Sequence, residues 1–317
     1  MNKKDQFLKY SKNLELVLSS FNKPVRLVNK HTEGNYICPI GFTNHSIEGL
    51  NETYSDQLSI EHAPPRSLGG KAICLVRKDL NNKSGHENDK ALIRYIETTQ
   101  FKRGESTIMT RMNLNLPRLK SPKAKFHIDS ENRLNFIFNN ITLKDHIGES
   151  DLKNDYQFKF EFKLQEINQA IKNILLKIAY LHAFKSIGYI LCFGPKEIYN
   201  KNYKKVREQI LNSDKEIIPI VFEISRVKKF DGVAIITDPK EFASIIVSYP
   251  LTLNGITDYV SVMLPAPDSR GFSALELIKK QGNLDFKFQT LPQIEIWKNK
   301  ESAIYFYNFW KHYNGIV

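Results

Sequence analysis

Apolar residues at Phe7, Leu8, Leu14, Leu16, Val17 and Leu18 follow an imperfect helical spacing. They predict a helix over residues 4–21, with Asn22 and Pro24 as stop signals. Residues 25–60 are rich in loop formers, with short strand candidates at Val25–Val28 and Leu58–Ile60. A Gly69–Gly70 turn leads into the apolar run Ala72–Val76, and helical spacing returns over 87–100 through Ala91, Leu92, Tyr95 and Ile96. Residues 101–125 carry Pro117 and Pro122 and little periodicity, which predicts an extended connector. Beyond it, Arg133–Ile141 and Tyr156–Leu164 alternate apolar and polar residues with the period of half-buried strands. Ile167, Ile171, Ile174, Ile178 and Leu181 then mark a helix that Gly188 would stop, and a second helix is expected over 195–212. Strands are expected at Ile217–Glu223, Val233–Thr237, Ser244–Ser248, Asp258–Met263 and Phe286–Gln289. Their close spacing suits a mixed or antiparallel sheet. The fold class is therefore α+β, with expected boundaries at residues 1–100, a connector at 101–125, and a larger domain at 126–317.

Composition narrows the class. A chain of 317 residues that is 41% apolar can bury a core of its own, which excludes a disordered chain. Three cysteines support neither a disulfide framework nor, alone, a four-cysteine zinc site. No uninterrupted apolar run reaches the roughly 18 residues of a membrane span. Lys9, Lys12 and Glu15 break the segment where a signal peptide would need an apolar stretch. A cytoplasmic protein with reduced thiols and no membrane association is expected.

Charge changes the picture more. The net charge is +12, and residues 1–100 contribute 14 basic and 11 acidic groups. Residues 101–125 hold seven basic residues, Lys102, Arg103, Arg111, Arg118, Lys120, Lys123 and Lys125, against Glu105 alone. Half the excess charge thus lies in 25 residues, a footprint that suits a polyanion. The plainer explanation is a solvated lysine-rich surface.

Candidate chemistry is concentrated in residues 59–85, SIEHAPPRSLGGKAICLVRKDLNNKSG. Glu61–His62 is followed by Pro64, Pro65, Ser67, Gly69 and Gly70, then by Asn81–Asn82 and the turn Lys83-Ser84-Gly85. At these spacings the segment resembles an HNH nuclease motif, with the resemblance covering about residues 36–95. It implies a ββα-metal domain in which Glu61 and Asn81, with Asn82 as the alternative register, hold one Mg²⁺ or Mn²⁺. It implies His62 as general base on an attacking water. The residue types suit such chemistry, because hard cations prefer carboxylate and amide oxygens and neutral imidazole accepts a proton near pH 7. Neighbouring residues on an extended chain point to opposite sides, so His62 need not ligate the ion. Each residue also has an ordinary explanation: a surface histidine by a proline turn, a solvated carboxylate, a helix N-cap. His86 could contact phosphate or lie on a solvated helix face, and His45 reads as a loop histidine.

Many members of the resembled family pin the hairpin with zinc on two Cys-x-x-Cys pairs. Here those positions read Cys38, Gly41, Arg77 and Leu80, so no structural zinc is expected. Residues Lys177–Phe184, Gly188–Tyr189 and Val206–Ile210 resemble a C-terminal extension of some bacterial HNH proteins, with no chemistry implied. Tyr180, His182 and Phe184 read as core and rim rather than a ligand box, and Arg207 could touch phosphate, with a solvated helix face as the default. The expectation is a DNA endonuclease of restriction, phage defence or a mobile element, with DNA preferred over RNA and cutting of both strands suggesting a homodimer. Its rivals are a nuclease effector regulated by a ligand or a defence-system partner, and a non-catalytic nucleic-acid-binding protein on a decayed scaffold.

Overall fold

Thirteen of the 19 residues of the helix Gln169–Ile187 are buried. A helix apolar on all sides must be covered on all sides, and the rest of the fold does this. The computed structural model describes residues 2–20, 34–114, 123–129, 131, 133–138, 158–160, 164–193, 200–212, 215–267, 270–282, 285–291 and 301. Of these, side chains are described except at 83–87, 108–114, 123–125, 134, 136–138 and 158–160. In order, the elements are α1 (Lys3–Ser20), β1 (Tyr36–Ile37), β2 (Asn44–His45), β3 (Leu58–Ala63), β4 (Lys71–Arg77) and α2 (Lys78–Lys102). There follow β5 (Ile108–Leu114), β6 (Lys123–Ile128), β7 (Leu134–Phe138), β8 (Phe158–Phe160), α3 (Gln169–Ile187) and α4 (Lys201–Leu211). The last are β9 (Phe222–Ser225), β10 (Gly232–Asp238), β11 (Ile245–Leu253), β12 (Ile256–Leu264), α5 (Ser273–Gln281) and β13 (Lys287–Thr290). The protein is a mixture of helix and antiparallel sheet, in keeping with an α+β class.

The chain forms two compact units, Met1–Asp89 with Asn168–Val317, and Lys90–Ile167. This division differs from the expected one at 100 and 125. The reason is α3: its apolar faces take up the N-terminal elements as well as the C-terminal sheet, so both ends of the chain share one core. In that unit β13-β10-β11-β12-β9 form an antiparallel sheet. Tyr249 of β11 donates its hydroxyl to the Leu175 carbonyl of α3 at 3.0 Å, and its ring stacks on His182 at 5.3 Å. On the N-terminal side, Phe184 stacks on Tyr10 of α1 at 5.0 Å. Losing a ring so placed costs about 3–5 kcal/mol. Asn168 caps the helix by accepting the Ile171 N–H. The stretch Gln169–Leu191 is long and apolar enough to cross a membrane, yet 83% of its most apolar window is buried in the protein.

Two tyrosines finish the N-terminal strands. Tyr36 donates to the Leu75 carbonyl and accepts the Leu75 N–H, closing the outer edge of β4. Tyr189 does the same for Ile37 of β1. A hydroxyl that both donates and accepts replaces the missing strand neighbour. Sequence periodicity does not reveal such pairings.

The second unit contains a four-stranded antiparallel sheet in the order β7-β6-β5-β8. Residues 101–125 are therefore not an extended connector. Met109 pairs with Lys125 and Arg111 with Lys123 across β5 and β6. The two prolines fall at 117 and 122, outside the described residues, between the strands. The expected strand Val25–Val28 also lies outside them. Helix α2 begins at Lys78 rather than 87, and α5 has no counterpart in the expected elements.

Candidate active site

Strands β3 and β4 pair antiparallel from Leu58↔Arg77 to Glu61↔Cys74, then resume at His62↔Ala72. Ile73 is left over on β4, a bulge at the level of the Glu-His pair. Such bulges twist the strand and re-aim side chains. Its carbonyl accepts the Tyr10 hydroxyl at 3.0 Å. The connection closes on itself: Leu68 and Gly70 N–H both bond the Pro65 carbonyl, at 2.9 and 3.1 Å. A Cβ on Gly70 would stand 1.5 Å from the Pro64 carbonyl oxygen, so only glycine fits there. Helix α2 follows β4 without a loop. At the junction Arg77 grips Asp79 through Nε–Oδ1 at 2.6 Å and Nη2–Oδ2 at 2.7 Å. This pair is exposed and worth under about 1 kcal/mol, with Asp79 also well placed at the helix N-terminus.

Glu61 and His62 leave the strand in different directions. Glu61 is 5% exposed, and its Oε1 lies 2.9 Å from Lys177 Nζ of α3. Its Oε2 is buried without a hydrogen-bond partner. His62 is half-buried and meets Arg66, whose Nε donates to His62 Nε2 at 2.9 Å. That contact requires a neutral ring with its proton on Nδ1. Burial, then the Arg66 cation, hold the His62 pKa below 6.5 against the opposing pull of Glu61. Asn81 lies in the first turn of α2, past the cap position. Its Nδ2 donates to Ser59 Oγ at 2.9 Å and to the Ile60 carbonyl at 3.2 Å. Ser59 and Glu61 are two residues apart on one strand, so Asn81 stands on the Glu61 face. Asn82 is exposed. The side chain of His86 is outside the described residues.

The four knuckle positions meet in space. Cys38 Sγ accepts the N–H of Gly41 at 3.4 Å and of Arg77 at 3.5 Å. A Cβ on Gly41 would lie 3.7 Å from that sulfur and 2.7 Å from Leu80 Cδ1. Leu80 therefore packs where a side chain at position 41 would begin. Burial raises the Cys38 thiol pKa, which favours the protonated, non-ligating form.

Other residues singled out in the sequence lie elsewhere. Tyr180 and Phe184 are fully buried, and Tyr180 donates to the Pro39 carbonyl at 2.7 Å. His182 Nε2 lies 3.1 Å from the Ala63 carbonyl oxygen. Burial, with Lys185 adding to it, lowers the His182 pKa to about 4. His45 is not a loop histidine but a buried residue of β2, 2.7 Å from Thr43 Oγ1. Arg207 is not solvated: it is 4% exposed and stacks 4.0 Å over the Phe42 ring. Of the basic set, Lys102 and Arg103 are exposed at the end of α2. Arg103 pairs with Glu105 at 3.1 Å. Arg111, Lys123 and Lys125 are backbone positions of β5 and β6, and Arg118 and Lys120 lie outside the described residues. Sequence reasoning finds neither Lys177 nor Arg66. The signal for Lys177 is a lysine inside the apolar spacing of α3, and Arg66 sits within the motif itself.

No family model, curated protein or solved structure matches the chain. Among the described residues no three His, Cys, Asp or Glu side chains converge. Of the residues singled out in the sequence, Glu61 and Asn81 carry oxygen donors on one face of β3. The orphaned Oε2 and an amide on the same strand face fit a hard cation in donor type. Lys177 on the other carboxylate oxygen opposes it by charge.

Proposed function

We propose that the protein is a metal-dependent endonuclease of the HNH type, acting on DNA. The observation that carries this reading is the hairpin–helix arrangement that sets Asn81 on the Glu61 face of β3 while His62 leaves on another side. The convergence of Cys38, Gly41, Arg77 and Leu80 supports it, because the motif alone singles out those positions. Glu61 and Asn81 would hold one Mg²⁺ or Mn²⁺, which supplies charge relief on the phosphate and leaving oxygen. His62, neutral at pH 7, takes a proton from the attacking water. The basic residues of 102–125 supply phosphate contacts that do not read sequence. Supercoiled plasmid incubated with the purified protein and Mg²⁺ or Mn²⁺ should be nicked or linearised, and EDTA should prevent it. Intact plasmid in the presence of metal counts against the reading.

One observation favours a latent form of this enzyme. Glu61 is nearly closed to solvent and held by Lys177, a residue from the C-terminal part of the chain. A regulated nuclease, in which a ligand or protein partner shifts α3, accounts for this closure. It predicts weak basal cleavage that rises when the Glu61–Lys177 contact is removed by Lys177→Met in a protein that remains folded.

A further inference from the structure

The Arg66 side chain is exposed on a rigid base. Its carbonyl accepts the Gly69 N–H at 3.0 Å, the next turn of chain is pinned by buried Leu68, and Gly70 packs directly on Pro64. A guanidinium so mounted has five N–H donors, and one of them, Nε, is given to His62 Nε2. The remaining four form the edge that matches phosphate oxygens two at a time. The same contact occupies the lone pair that a general base needs.

We propose that Arg66 is the phosphate clamp of this site and the gate on His62. In the free protein it covers Nε2; an arriving phosphodiester draws the guanidinium onto its own oxygens and uncovers the lone pair. Water then gives its proton to Nε2 as its oxygen bonds phosphorus. The bond to the leaving oxygen breaks, and that oxygen is protonated from solvent. The proposal rests on the nuclease reading of His62 and assigns Arg66 a role that the motif does not contain. The charged groups around the ring are the Arg66 cation and the Glu61 carboxylate, and they act in opposite directions.

The test uses the full chain with EDTA, so that DNA binds without being cut. The ¹⁵N resonance of His62 Nε2, assigned by its loss in His62→Gln, is recorded by NMR at one fixed pH, with and without a short duplex, in wild type, Arg66→Gln and Arg66→Lys. Binding of the duplex is measured alongside. In wild type the duplex should move the Nε2 resonance toward that of a nitrogen with an open lone pair. Arg66→Gln should show the open position without DNA and weaken duplex binding about ten- to hundredfold, the range for a lost charge-assisted contact. Arg66→Lys keeps the charge but not the fork, so it should also lose much of the binding. An Nε2 resonance that the duplex leaves in place in wild type overturns the gate, and equal duplex affinity in Arg66→Gln overturns the clamp. Wild-type protein that leaves plasmid intact with Mg²⁺ overturns the nuclease reading beneath both, and that result is separate from either measurement.

Discussion

At the residue scale, the Glu61–Lys177 pair carries both structure and chemistry. Two charges this far from water repay their desolvation only while both are present. Lys177→Met alone should therefore cost about 3–5 kcal/mol of stability, while Glu61→Gln with Lys177→Met should recover much of it. Denaturant titration of the three proteins checks this, and equal stability of the single and double variants would disprove a coupled pair. His182 gives a pH dependence of known sign. Its folded pKa is about 4 and its unfolded value roughly 6.5. The unfolded chain thus binds the extra proton first. This contribution to stability should fall as pH drops below about 6.5 and level off below about 4. His182→Gln should remove that part of the pH dependence, as measured by denaturant midpoints between pH 4 and 7. The types and spacing of Glu61, His62 and Asn81 are readable in the sequence because they lie within 21 residues of chain. The Lys177 partner of Glu61 is not, since a spacing of more than 100 residues leaves no local pattern.

At the element scale, the hairpin and its helix are partly legible in the sequence. Apolar runs mark β3 and β4, but periodicity puts the start of α2 nine residues late, because Lys78–Lys83 is too polar to show helical spacing. Tertiary contacts set that boundary: the Arg77–Asp79 fork and the Asn81 bonds to β3 fix the first turn. At the expected knuckle positions Leu80 packs on Gly41, and the Cys38 sulfur accepts the Gly41 and Arg77 amides. Protein purified without added metal should contain no stoichiometric zinc by elemental analysis. Chelators should leave its unfolding curve unchanged. One tightly bound zinc per chain would contradict this, with His31, His45 and Cys74 then the first ligands to test; His45 and Cys74 are buried in β2 and β4, and His31 lies outside the described residues. In the other unit, low local periodicity conceals a strand pairing. If Arg111, Lys123 and Lys125 each neutralise one phosphate, replacing all three with Ala should flatten the slope of log K against log salt by about 2.7. An unchanged slope would make them solvated strand residues.

At the scale of the whole molecule, the chain's two ends form one core. Composition and periodicity suggest successive domains because sequence order is all they record. The covering of α3 by α1, β3 and β4 is a long-range fact. Its consequence is concrete: residues 1–100 expressed alone should not fold, since Tyr10 would lose the ring of Phe184 and Tyr36 that of Tyr189. A cooperative unfolding transition from that fragment would refute the shared core. The sharpest check on His62 as the base of a metal-dependent nuclease is plasmid cleavage with wild type and His62→Ala side by side. Both proteins should bind duplex DNA with similar affinity in EDTA. With Mg²⁺ or Mn²⁺, wild type should cut and His62→Ala should be slower by at least about 10²–10⁴-fold. Cleavage by His62→Ala at the wild-type rate, or none by either protein, would overturn that assignment.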